Sequence, residues 1–495
     1  MSKFNKKLRK SYINSYGEDN HYEEFAAKAG LKSSKPLRQK YHNPYKRLGK
    51  GLLITAAASF VVISIPATAF LIAGFSTVNH FNLSNRYSGI EIEEAKKRAI
   101  NNIQSLNTIH YPSSRQSVNI KGGEEYINNM DRFAEKLLPS LAKQGSFVSS
   151  SLGLYGNLHL ASMGISDPNL IASMNDLLGG DEDFRNASMK DLFMNNFFKD
   201  QASSVHASQA VFFDTDFPAN PAYLDNITAA GAEAYSCDFS SKSAQNGIIN
   251  WVSNAVGEQG YLNANDLFDP QLDTDQMSIL MLSALQFDVR WNSVFKDTAN
   301  VMMPFKRSDG SSFDTTYMIH SFYGALEDRG DYVTFEDYYC RGYTIQYFVP
   351  KSEEDDLMDV LPASNFLSSP AHVKENMFMI RLFLPKFETK SKTDYTSMLK
   401  SLGLEQLYNP HSNVMKRAYQ NGDSLTFSNL AYTKECANIS FKEDGTTAKS
   451  IAWTLGMAGA AAPNRDGYDV KLNQRFAYVI RDQHRVPLFI GSYNG

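Results

Sequence analysis

One stretch of the sequence, 25 residues long, contains no charged side chain. It runs from Gly51 to Phe75 and reads GLLITAAASFVVISIPATAFLIAGF. As an α-helix it would be about 37 Å long, enough to cross the roughly 30 Å hydrocarbon core of a bilayer. A buried helix of a water-soluble domain is the alternative, but such helices seldom lack a polar face over this length. The sequence therefore predicts a transmembrane helix at residues 51–75, with a lipid bilayer as a partner.

Charge differs sharply between the two sides of this stretch. Residues 1–50 contain 13 Lys or Arg and four Asp or Glu, a net charge of +9, whereas the whole chain has a net charge of −4. The first basic residue after the stretch is Arg86. Because positive flanks stay inside, residues 1–50 are predicted to be a basic cytoplasmic tail and the rest to be extracytoplasmic, in a single-pass cell-membrane protein. A cleaved signal peptide is the alternative, but the 50 residues before the apolar stretch are longer than the basic region that usually begins a signal peptide. A signal anchor is therefore favoured.

The chain after the apolar stretch divides into two parts. Residues 76–121 are predicted to be a stalk or linker with a short helix at Ile90–Leu106, where charged residues are frequent. Residues 122–495 contain no linker-like segment and no repeat, which indicates one large domain. Helical patterns in its first third are followed by strand-like runs without regular alternation, which favours an α+β class. The predicted helices are Glu124–Lys143, Gly153–Met163 and Pro168–Leu178; the predicted strands are Ala207–Phe213, Met277–Phe287, Tyr343–Phe348, Met377–Leu384, Ala437–Phe441 and Phe476–Ile480.

Composition and motifs exclude several functional classes. The slightly negative net charge argues against nucleic acid as a partner. Three cysteines are too few for a disulfide framework. The motifs GxSxG, HExxH, GxGxxG, the P-loop and the EF-hand loop are absent from the sequence. The ten histidines have no metal-ligand spacing. No cofactor or metal site is therefore predicted, and these motifs single out no catalytic residue.

Five segments, in the expected order along the chain, resemble the serpin family. Asn250–Asp266 (NWVSNAVGEQGYLNAND) is similar to a helix and turn. Met277–Trp291 (MSILMLSALQFDVRW) is similar to the central strand that follows, with Trp291 in the place of a near-invariant tryptophan. Phe378–Tyr408 resembles the strand ending in LPKF and the helix after it. Ala437–Ala452 (ANISFKEDGTTAKSIA) resembles the hinge strand, and Phe476–Gly491 (FAYVIRDQHRVPLFIG) resembles the C-terminal hairpin.

The resemblance covers roughly residues 122–495 and implies the serpin fold, in which helices pack around three mainly antiparallel β-sheets with an exposed reactive-centre loop. It also implies a suicide inhibitor of a serine protease. In that mechanism the protease cleaves the loop and becomes trapped as an acyl-enzyme. The freed N-terminal half of the loop then inserts as a new strand into a central sheet.

Insertion makes a demand on the loop that can be checked in the sequence. Alternate residues of an inserted strand face the core and must be small. One alternate set after Gly445, from Thr446 to Gly456, contains only Thr, Ala, Ser and Gly, whereas the other set includes Lys449, Ile451 and Trp453. This parity favours a loop that inserts. The resemblance assigns the reactive-loop hinge to Glu443, Gly445, Thr446, Thr447, Ala448, Ser450 and Ala452.

Other positions depart from the family pattern. The resemblance assigns Trp291, Ser150, Ser283 and Glu435 to the region where the sheet opens. The family usually has asparagine at the position of Ser283 and histidine at that of Glu435. It also has proline after the serine that corresponds to Ser150. These departures support the alternative, a non-inhibitory serpin-fold protein with a binding, chaperone-like or structural role at the surface.

The scissile bond follows from the loop length that the resemblance implies. Counting forward from Gly445 gives Gly459–Ala460, whereas counting back from Phe476 gives a bond near Asn464. The forward count is preferred because insertion fixes the N-terminal length of the loop. Small residues around Gly459 favour an elastase- or subtilisin-like protease. Cleavage at Arg465 would instead suit a trypsin-like enzyme, and cleavage at Leu455–Gly456 a chymotrypsin-like one.

Overall fold

Two large β-sheets and a set of helices make up the part of the chain that the computed structural model describes. That part consists of residues 103–141, 145–201, 203–256, 263–268, 277–352, 355–361, 366–367, 377–446 and 467–495. The predicted cytoplasmic tail, the predicted transmembrane helix at 51–75 and the loop at 447–466 lie outside these residues. Within the described ranges, no helix is both long enough and apolar enough to cross a membrane.

The longer helices lie mainly in the first third of the domain, as the periodicity predicted. Helix α2 is buried on nearly all sides and is mostly apolar, so it forms the centre of the core. The helices are α1 (Gly123–Leu141), α2 (Ser151–Gly164), α3 (Pro168–Leu178), α4 (Glu182–Asn195), α5 (Pro221–Ala229), α6 (Lys242–Val256), α7 (Ala264–Leu267), α8 (Leu357–Val360) and α9 (Thr396–Leu399). Short 3₁₀ or π turns lie at Asp297–Ala299, Cys340–Gly342, Lys400–Leu404, Glu405–Tyr408, Lys416–Ala418 and Gly422–Ser424.

The first sheet has eight strands and contains the segments that resemble the family's central strand and hinge. Its strands are β1 (Gln104–Ser105), β3 (Phe197–Lys199), β4 (Ser203–Asp214), β5 (Glu233–Cys237), β6 (Ile279–Arg290), β12 (Phe387–Asp394), β13 (Lys434–Phe441) and β14 (Gly445–Thr446). Their order is β1-β5-β4-β6-β14-β13-β12, with β3 paired to β4. Most neighbours are antiparallel, but β4 and β5 are parallel.

The second sheet has nine strands and includes the C-terminal hairpin. Its strands are β2 (Phe147–Ser149), β7 (Val301–Lys306), β8 (Ser312–Asp328), β9 (Tyr332–Tyr338), β10 (Thr344–Pro350), β11 (Met377–Pro385), β15 (Gly467–Lys471), β16 (Phe476–Arg481) and β17 (Pro487–Tyr493). The order is β15-β11-β8-β9-β10-β16-β17-β2, with β7 paired to β8. The 17-residue strand β8 pairs with β11 at one end and β9 at the other, so it joins the second and third sheets that the resemblance implies.

The two faces of the first sheet belong to different hydrophobic clusters. Alternate residues of a strand point to opposite faces. In β4, Val211 and Phe213 belong to the main core around α2, whereas Ala210 and Phe212 belong to a smaller cluster beneath α6. The same alternation holds in β6, where Val289 is in the main core and Ala284 is in the smaller cluster. The first sheet is therefore covered on both faces.

The segment 103–121 lies on the folded domain, although the sequence predicted a linker that extended to residue 121. Its strand β1 pairs with β5, where the sequence predicted the end of a helix. The Asn107 side chain donates to Ala232 O at 2.9 Å and accepts from Ala234 N at 2.8 Å, and Tyr111 stacks on Phe197 with ring centroids 4.1 Å apart. These long-range contacts override the local helical pattern, and they move the start of the domain to residue 103 or earlier.

Most other predicted elements agree with the structure within a few residues at each end. The predicted strand at 277–287 is found at Ile279–Arg290, and the predicted helix at 168–178 is found at Pro168–Leu178. Helices α4, α5 and α6 and strands β8, β9 and β12 were not predicted, although part of α6 lies in a segment that resembles a family helix. The three cysteines, at positions 237, 340 and 436, form no disulfide and are all within the described ranges.

Candidate functional site

A groove separates β6 and β13 over most of their length. The two-residue strand β14 lies between them at one end, paired with both. Beyond β14 the space between the strands is a cavity of about 760 Å³. Residues 277–285 line one side and residues 434–438 line the other, with Leu154 and Leu158 of α2 beneath. The groove therefore continues the path that β14 begins.

The hinge residues Gly445 and Thr446 form β14 itself. Gly445 is opposite Arg290 and Thr446 is opposite Val289, in antiparallel register. A β-carbon on Gly445 would collide with the carbonyl oxygen of Val289, so the close approach requires glycine. The Thr446 side chain is buried, with 1% exposure, and its hydroxyl lies 2.7 Å from that of Tyr339. Thr446 therefore points into the core, on the face that parity assigned to the small set.

Trp291 supports the turn that leads into the hinge. Its indole Nε1 donates to the carbonyl oxygen of Lys442 at 2.9 Å, and its backbone N–H donates to that of Asp444 at 3.1 Å. The indole ring stacks on Tyr339 with a centroid separation of 4.2 Å. Trp291 is 1% exposed. A buried aromatic ring thus holds the turn between β13 and β14 in place.

Glu443 joins this turn to the neighbouring strands. Its carboxylate lies 2.9 Å from Lys386 Nζ and accepts from Asn300 Nδ2 at 2.8 Å. Burial acts to raise the pKa of Glu443, but the hydrogen bonds from Lys386 and Asn300 outweigh it, so the pKa lies below its ordinary value. Glu443 is therefore ionised at neutral pH and helps to hold the hinge against the second sheet.

Three consecutive serines begin helix α2 at the base of the groove. Ser150 is the N-cap residue, and its hydroxyl accepts from the backbone N–H of Gly153 at 3.1 Å. Ser151, where the family usually has proline, donates its hydroxyl to the carbonyl oxygen of Pro487 at 2.9 Å. Ser149 Oγ lies 2.7 Å from the Tyr395 hydroxyl. These bonds link α2 to β17 and to the segment after β12.

Glu435, on β13, makes a charge-assisted connection between the groove wall and α2. Its Oε1 accepts from the backbone N–H of Ser150 at 2.7 Å, and its Oε2 accepts from the Tyr395 hydroxyl at 2.8 Å. Burial raises the pKa of Glu435 to about 7, although the bonds from Tyr395, Ser149 and Ser150 act to lower it. The carboxyl group therefore changes charge near neutral pH while it bonds to the N-terminus of α2.

Ser283 lies on the opposite wall of the groove and makes a separate bond to α2. Its hydroxyl donates to Asn157 Oδ1 at 2.8 Å. Glu435 and Ser283 therefore each attach one wall of the groove to α2, through Ser150 and Asn157 respectively. No bond between Glu435 and Ser283 is found among the described contacts, so the groove can widen if either attachment is lost.

The raised pKa of Glu435 predicts a pH-dependent stability. Folding raises the pKa from 4.5 to about 7, so the folded protein binds the proton more tightly. The free energy of unfolding therefore decreases as the pH rises from 4.5 through 7, by about 1–3 kcal/mol for a partly buried group. Glu435→Gln removes this loss. We expect its Tm, relative to the parent, to increase by a few degrees between pH 5 and pH 8 in calorimetry.

Glu443→Gln is the matched control for this prediction. Because the pKa of Glu443 is lowered, this residue stays ionised between pH 5 and pH 8 in both folded and unfolded chains. Its substitution is expected to change the Tm by an amount that does not vary over that range. A Glu435→Gln difference that is equally constant would contradict the assignment of a titrating carboxyl to the groove.

The structure brings the described site residues to two levels of the groove. Trp291, Glu443, Gly445 and Thr446 surround its hinge end, and Ser150, Ser283 and Glu435 lie farther along it. Sequence reasoning missed the following partners: Asn157, Tyr339, Lys386 and Tyr395. Of these, Lys386 and Tyr395 lay in a segment that was noted for its resemblance, Phe378–Tyr408, and Asn157 lay in a predicted helix, but none was given a role. The remaining predicted site residues, Thr447, Ala448, Ser450, Ala452, Gly459 and Ala460, lie outside the described part of the chain. In that part, no cluster of three or more His, Cys, Asp or Glu side chains is arranged to hold a metal ion.

Comparisons with known proteins agree on one family. A family model described as serpin (serine protease inhibitor) matches residues 128–495. Serpin-Z4 of Hordeum vulgare is 21% identical over 388 residues, which cover 74% of this chain and 95% of that protein. An uncharacterized serpin-like protein of Acanthamoeba polyphaga mimivirus is 26% identical over 235 residues, which cover 45% of this chain and 56% of that protein.

A solved structure shows the same fold. The native-state crystal structure of a thermophilic serpin, tengpin, is similar with a TM-score of 0.65 and 20% sequence identity. The similarity covers 79% of this chain and 100% of tengpin. At this identity the likeness establishes the fold, whereas the function has to be argued from the groove and the loop.

Proposed function

Because this chain belongs to the serpin family, whose model describes serine protease inhibitors, we propose that it is a suicide inhibitor of a serine protease. The chain supplies a substrate-like bond and a strand that inserts after cleavage. It contributes no catalytic group to the reaction. Fold and family support a serine protease as the partner, and the groove between β6 and β13 supports strand insertion as the mechanism.

One observation supports insertion above all others, namely the agreement between the register of β14 and the parity of the loop. Continuing the antiparallel register from Thr446 and Val289 places Ala448, Ser450 and Ala452 opposite Phe287, Leu285 and Ser283. These three β6 residues face α2, because Phe287 belongs to the main core, Leu285 packs against it and Ser283 bonds to Asn157 of α2. The loop residues that would join them are all small. A shift by one residue would put Lys449 and Trp453 there instead, at a cost of several kcal/mol.

The proposed reaction with the protease begins as normal peptide hydrolysis. The protease serine Oγ attacks the carbonyl carbon of Gly459, an ester forms, and the C–N bond to Ala460 breaks. The new amine leaves with a proton supplied by the protease histidine. Insertion of the freed N-terminal half carries the ester-linked protease along the sheet. Distortion of the protease then prevents water from completing deacylation.

The residues around the proposed bond favour an elastase- or subtilisin-like protease. Gly459 is flanked by Ala458 and Ala460, which suit the shallow pockets of elastase- or subtilisin-like enzymes. Incubation with elastase, subtilisin, trypsin and chymotrypsin tests this. We expect loss of elastase or subtilisin activity and a new N-terminus at Ala460, located by mass spectrometry of the released fragment. A new N-terminus at Asp466 would assign a trypsin-like target through Arg465.

A non-inhibitory role is the second candidate, and the Glu435 network favours it. Glu435 ties β13 to α2 with a charge-assisted bond where the family usually has histidine. An attachment of this kind resists widening of the groove. In that case a protease would cleave the loop and depart with full activity. The same protease panel distinguishes the two candidates by the activity that remains.

The N-terminal region is proposed to anchor the inhibitor in a membrane. The uncharged stretch at 51–75 and the net charge of +9 on residues 1–50 support a cytoplasmic tail and an extracytoplasmic serpin domain. Protease shaving of intact cells is expected to remove the domain and to spare a tag fused to residue 1. Permeabilised cells, as the control, lose both. Loss of the tag with retention of the domain in intact cells would invert the proposed topology.

A further inference from the structure

The groove between β6 and β13 has a second, apolar face beneath α6 and α7. Val252 and Val256 of α6 and Leu267 of α7 line it, above Leu280 and Leu282 of β6. These β6 residues point away from α2 and belong to the cluster beneath α6. An inserted strand would therefore have part of its other face, the one turned away from α2, covered by these helices.

Helices α6 and α7 together form a roof over the groove, and this roof is attached to strands on both sides of it. On one side, Trp251 Nε1 of α6 donates to the Glu233 carboxylate of β5 at 2.7 Å. On the other side, Asp266 of α7 accepts from Lys392 of β12 at 2.7 Å, and the Tyr432 hydroxyl donates to the carbonyl oxygen of Leu267 at 2.6 Å. The roof therefore spans the gap that the inserted strand would fill.

The alternate loop residues that would point away from α2 are polar near the hinge and apolar farther along, and the groove changes in the same way. In the register that β14 begins with β6, Thr447 falls opposite Asp288, and Lys449 falls opposite Gln286. On the β13 side, their neighbours are Ser440 and Asn438, which are also polar. The polar part of the loop therefore meets the polar part of the groove.

The next three outer residues of the loop are bulky and apolar. In the same register Ile451 falls opposite Ala284, Trp453 opposite Leu282 and Leu455 opposite Leu280. All three of these β6 residues belong to the cluster beneath α6. On the β6 side of the groove, the change from polar to apolar loop residues thus coincides with the change from polar to apolar strand residues, whereas on the β13 side Trp453 falls beside Lys434.

We propose that Ile451, Trp453 and Leu455 are a built-in ligand for the apolar face beneath α6 and α7, and that they dock there when the cleaved loop inserts. This inference rests on the proposed inhibitory function and adds a specific role for the outer face of the inserted strand. Large apolar side chains would fill a preformed cavity and be removed from water, which stabilises the inserted state in addition to strand pairing.

Trp453 gives the inference a direct optical test in the full-length protein. The fluorescence of Trp453 is obtained as the difference between the parent and Trp453→Phe, before and after loop cleavage by a protease that cuts the loop without becoming trapped. We expect cleavage to shift this emission to shorter wavelength and to remove most of its quenching by acrylamide. Size-exclusion chromatography shows whether the protected species is a single chain. Protection seen only in a larger species would mean docking into a second copy and would overturn the intramolecular proposal.

A charge placed on the same face at two levels provides the matched comparison. Trp453→Glu would put a carboxylate beneath α6, whereas Lys449→Glu would put one beside polar neighbours. We expect the cleaved Trp453→Glu protein to lose several degrees of Tm relative to the cleaved parent, and the cleaved Lys449→Glu protein to lose little. The uncleaved variants should share the Tm of the parent.

The outcomes separate this inference from the function on which it rests. A parent protein that gains Tm on cleavage, while Trp453 remains quenched and Trp453→Glu behaves as Lys449→Glu does, would overturn the docking proposal and leave strand insertion intact. A parent that gains no Tm on cleavage would overturn both.

Discussion

Thr446→Arg is expected to convert the protein from an inhibitor into a substrate of its protease. Thr446 is 1% exposed and lies between β6 and β13, with its hydroxyl 2.7 Å from that of Tyr339. An arginine here would bring an unpaired charge into the main core, at a cost of about 3 kcal/mol or more. The uncleaved variant can avoid this cost by releasing β14 from the sheet, but insertion cannot, so insertion slows roughly 100-fold or more and deacylation precedes trapping. The measurement is the molar ratio of inhibitor needed to abolish protease activity.

Lys449→Glu is the control for this substitution. In the register of β14, Lys449 falls on the opposite face, beside Gln286 and Asn438. Its charge reversal should leave the inhibitory stoichiometry close to that of the parent. Both positions are about ten or more residues from Gly459, so initial cleavage should be similar. Circular dichroism of the uncleaved Thr446→Arg protein verifies that the rest of the fold is retained. Equal stoichiometries for the two variants would contradict the assigned register.

Cleavage of the loop is expected to raise the Tm of the parent by more than about 10 °C. An inserted strand from Thr447 to Gly456 would pair its backbone with both β6 and β13 and would fill the 760 Å³ cavity. Each added hydrogen bond contributes about 1 kcal/mol, and several such bonds exceed the few degrees that a single interaction gives. Differential scanning calorimetry before and after complete cleavage measures the change. Cleaved Thr446→Arg should show a much smaller increase, and an unchanged parent would favour the non-inhibitory role.

The elements closest to the groove were the most accessible to sequence reasoning. The alternation of small and bulky residues after Gly445 predicted which face of the hinge enters the core, and Thr446 does point inward. Strands β6 and β13 were also predicted, because a buried central strand is a continuous apolar run and a hinge strand resembles a known family segment. The local sequence pattern was sufficient to predict a strand and its buried face wherever one face of the strand packs against the core.

The bonds that hold the groove together were not accessible in the same way. Glu435 bonds to Tyr395, 40 residues earlier, and to Ser150, 285 residues earlier. Lys386 reaches Glu443 across 57 residues. Contacts of this range depend on the final packing and leave no periodic signal in the sequence. Asn107 illustrates the same limit, because its bonds to the end of α5 and to β5 turn a predicted helix end into an edge strand.

Glu435 also shows how a departure from a family pattern acquires a physical meaning only in the structure. From the sequence it was a missing histidine. In the fold it is a carboxyl group that bonds to the N-terminus of α2 and titrates near pH 7. Loss of a proton from Glu435 adds a negative charge beside the groove and strengthens its bond to Ser150. The rate of insertion in this protein is therefore expected to depend on pH through Glu435.

A denaturing gel shows whether loop cleavage leads to a trapped protease. The full-length protein is incubated with an elastase- or subtilisin-like protease and boiled in SDS. We expect a band at the summed mass of the protease and the cleaved inhibitor, because an ester links the protease serine to Gly459. A protease whose catalytic serine is replaced by alanine should give no such band. The inhibitory function would be contradicted if the active protease cleaved the loop completely, remained free and fully active, and gave no higher band.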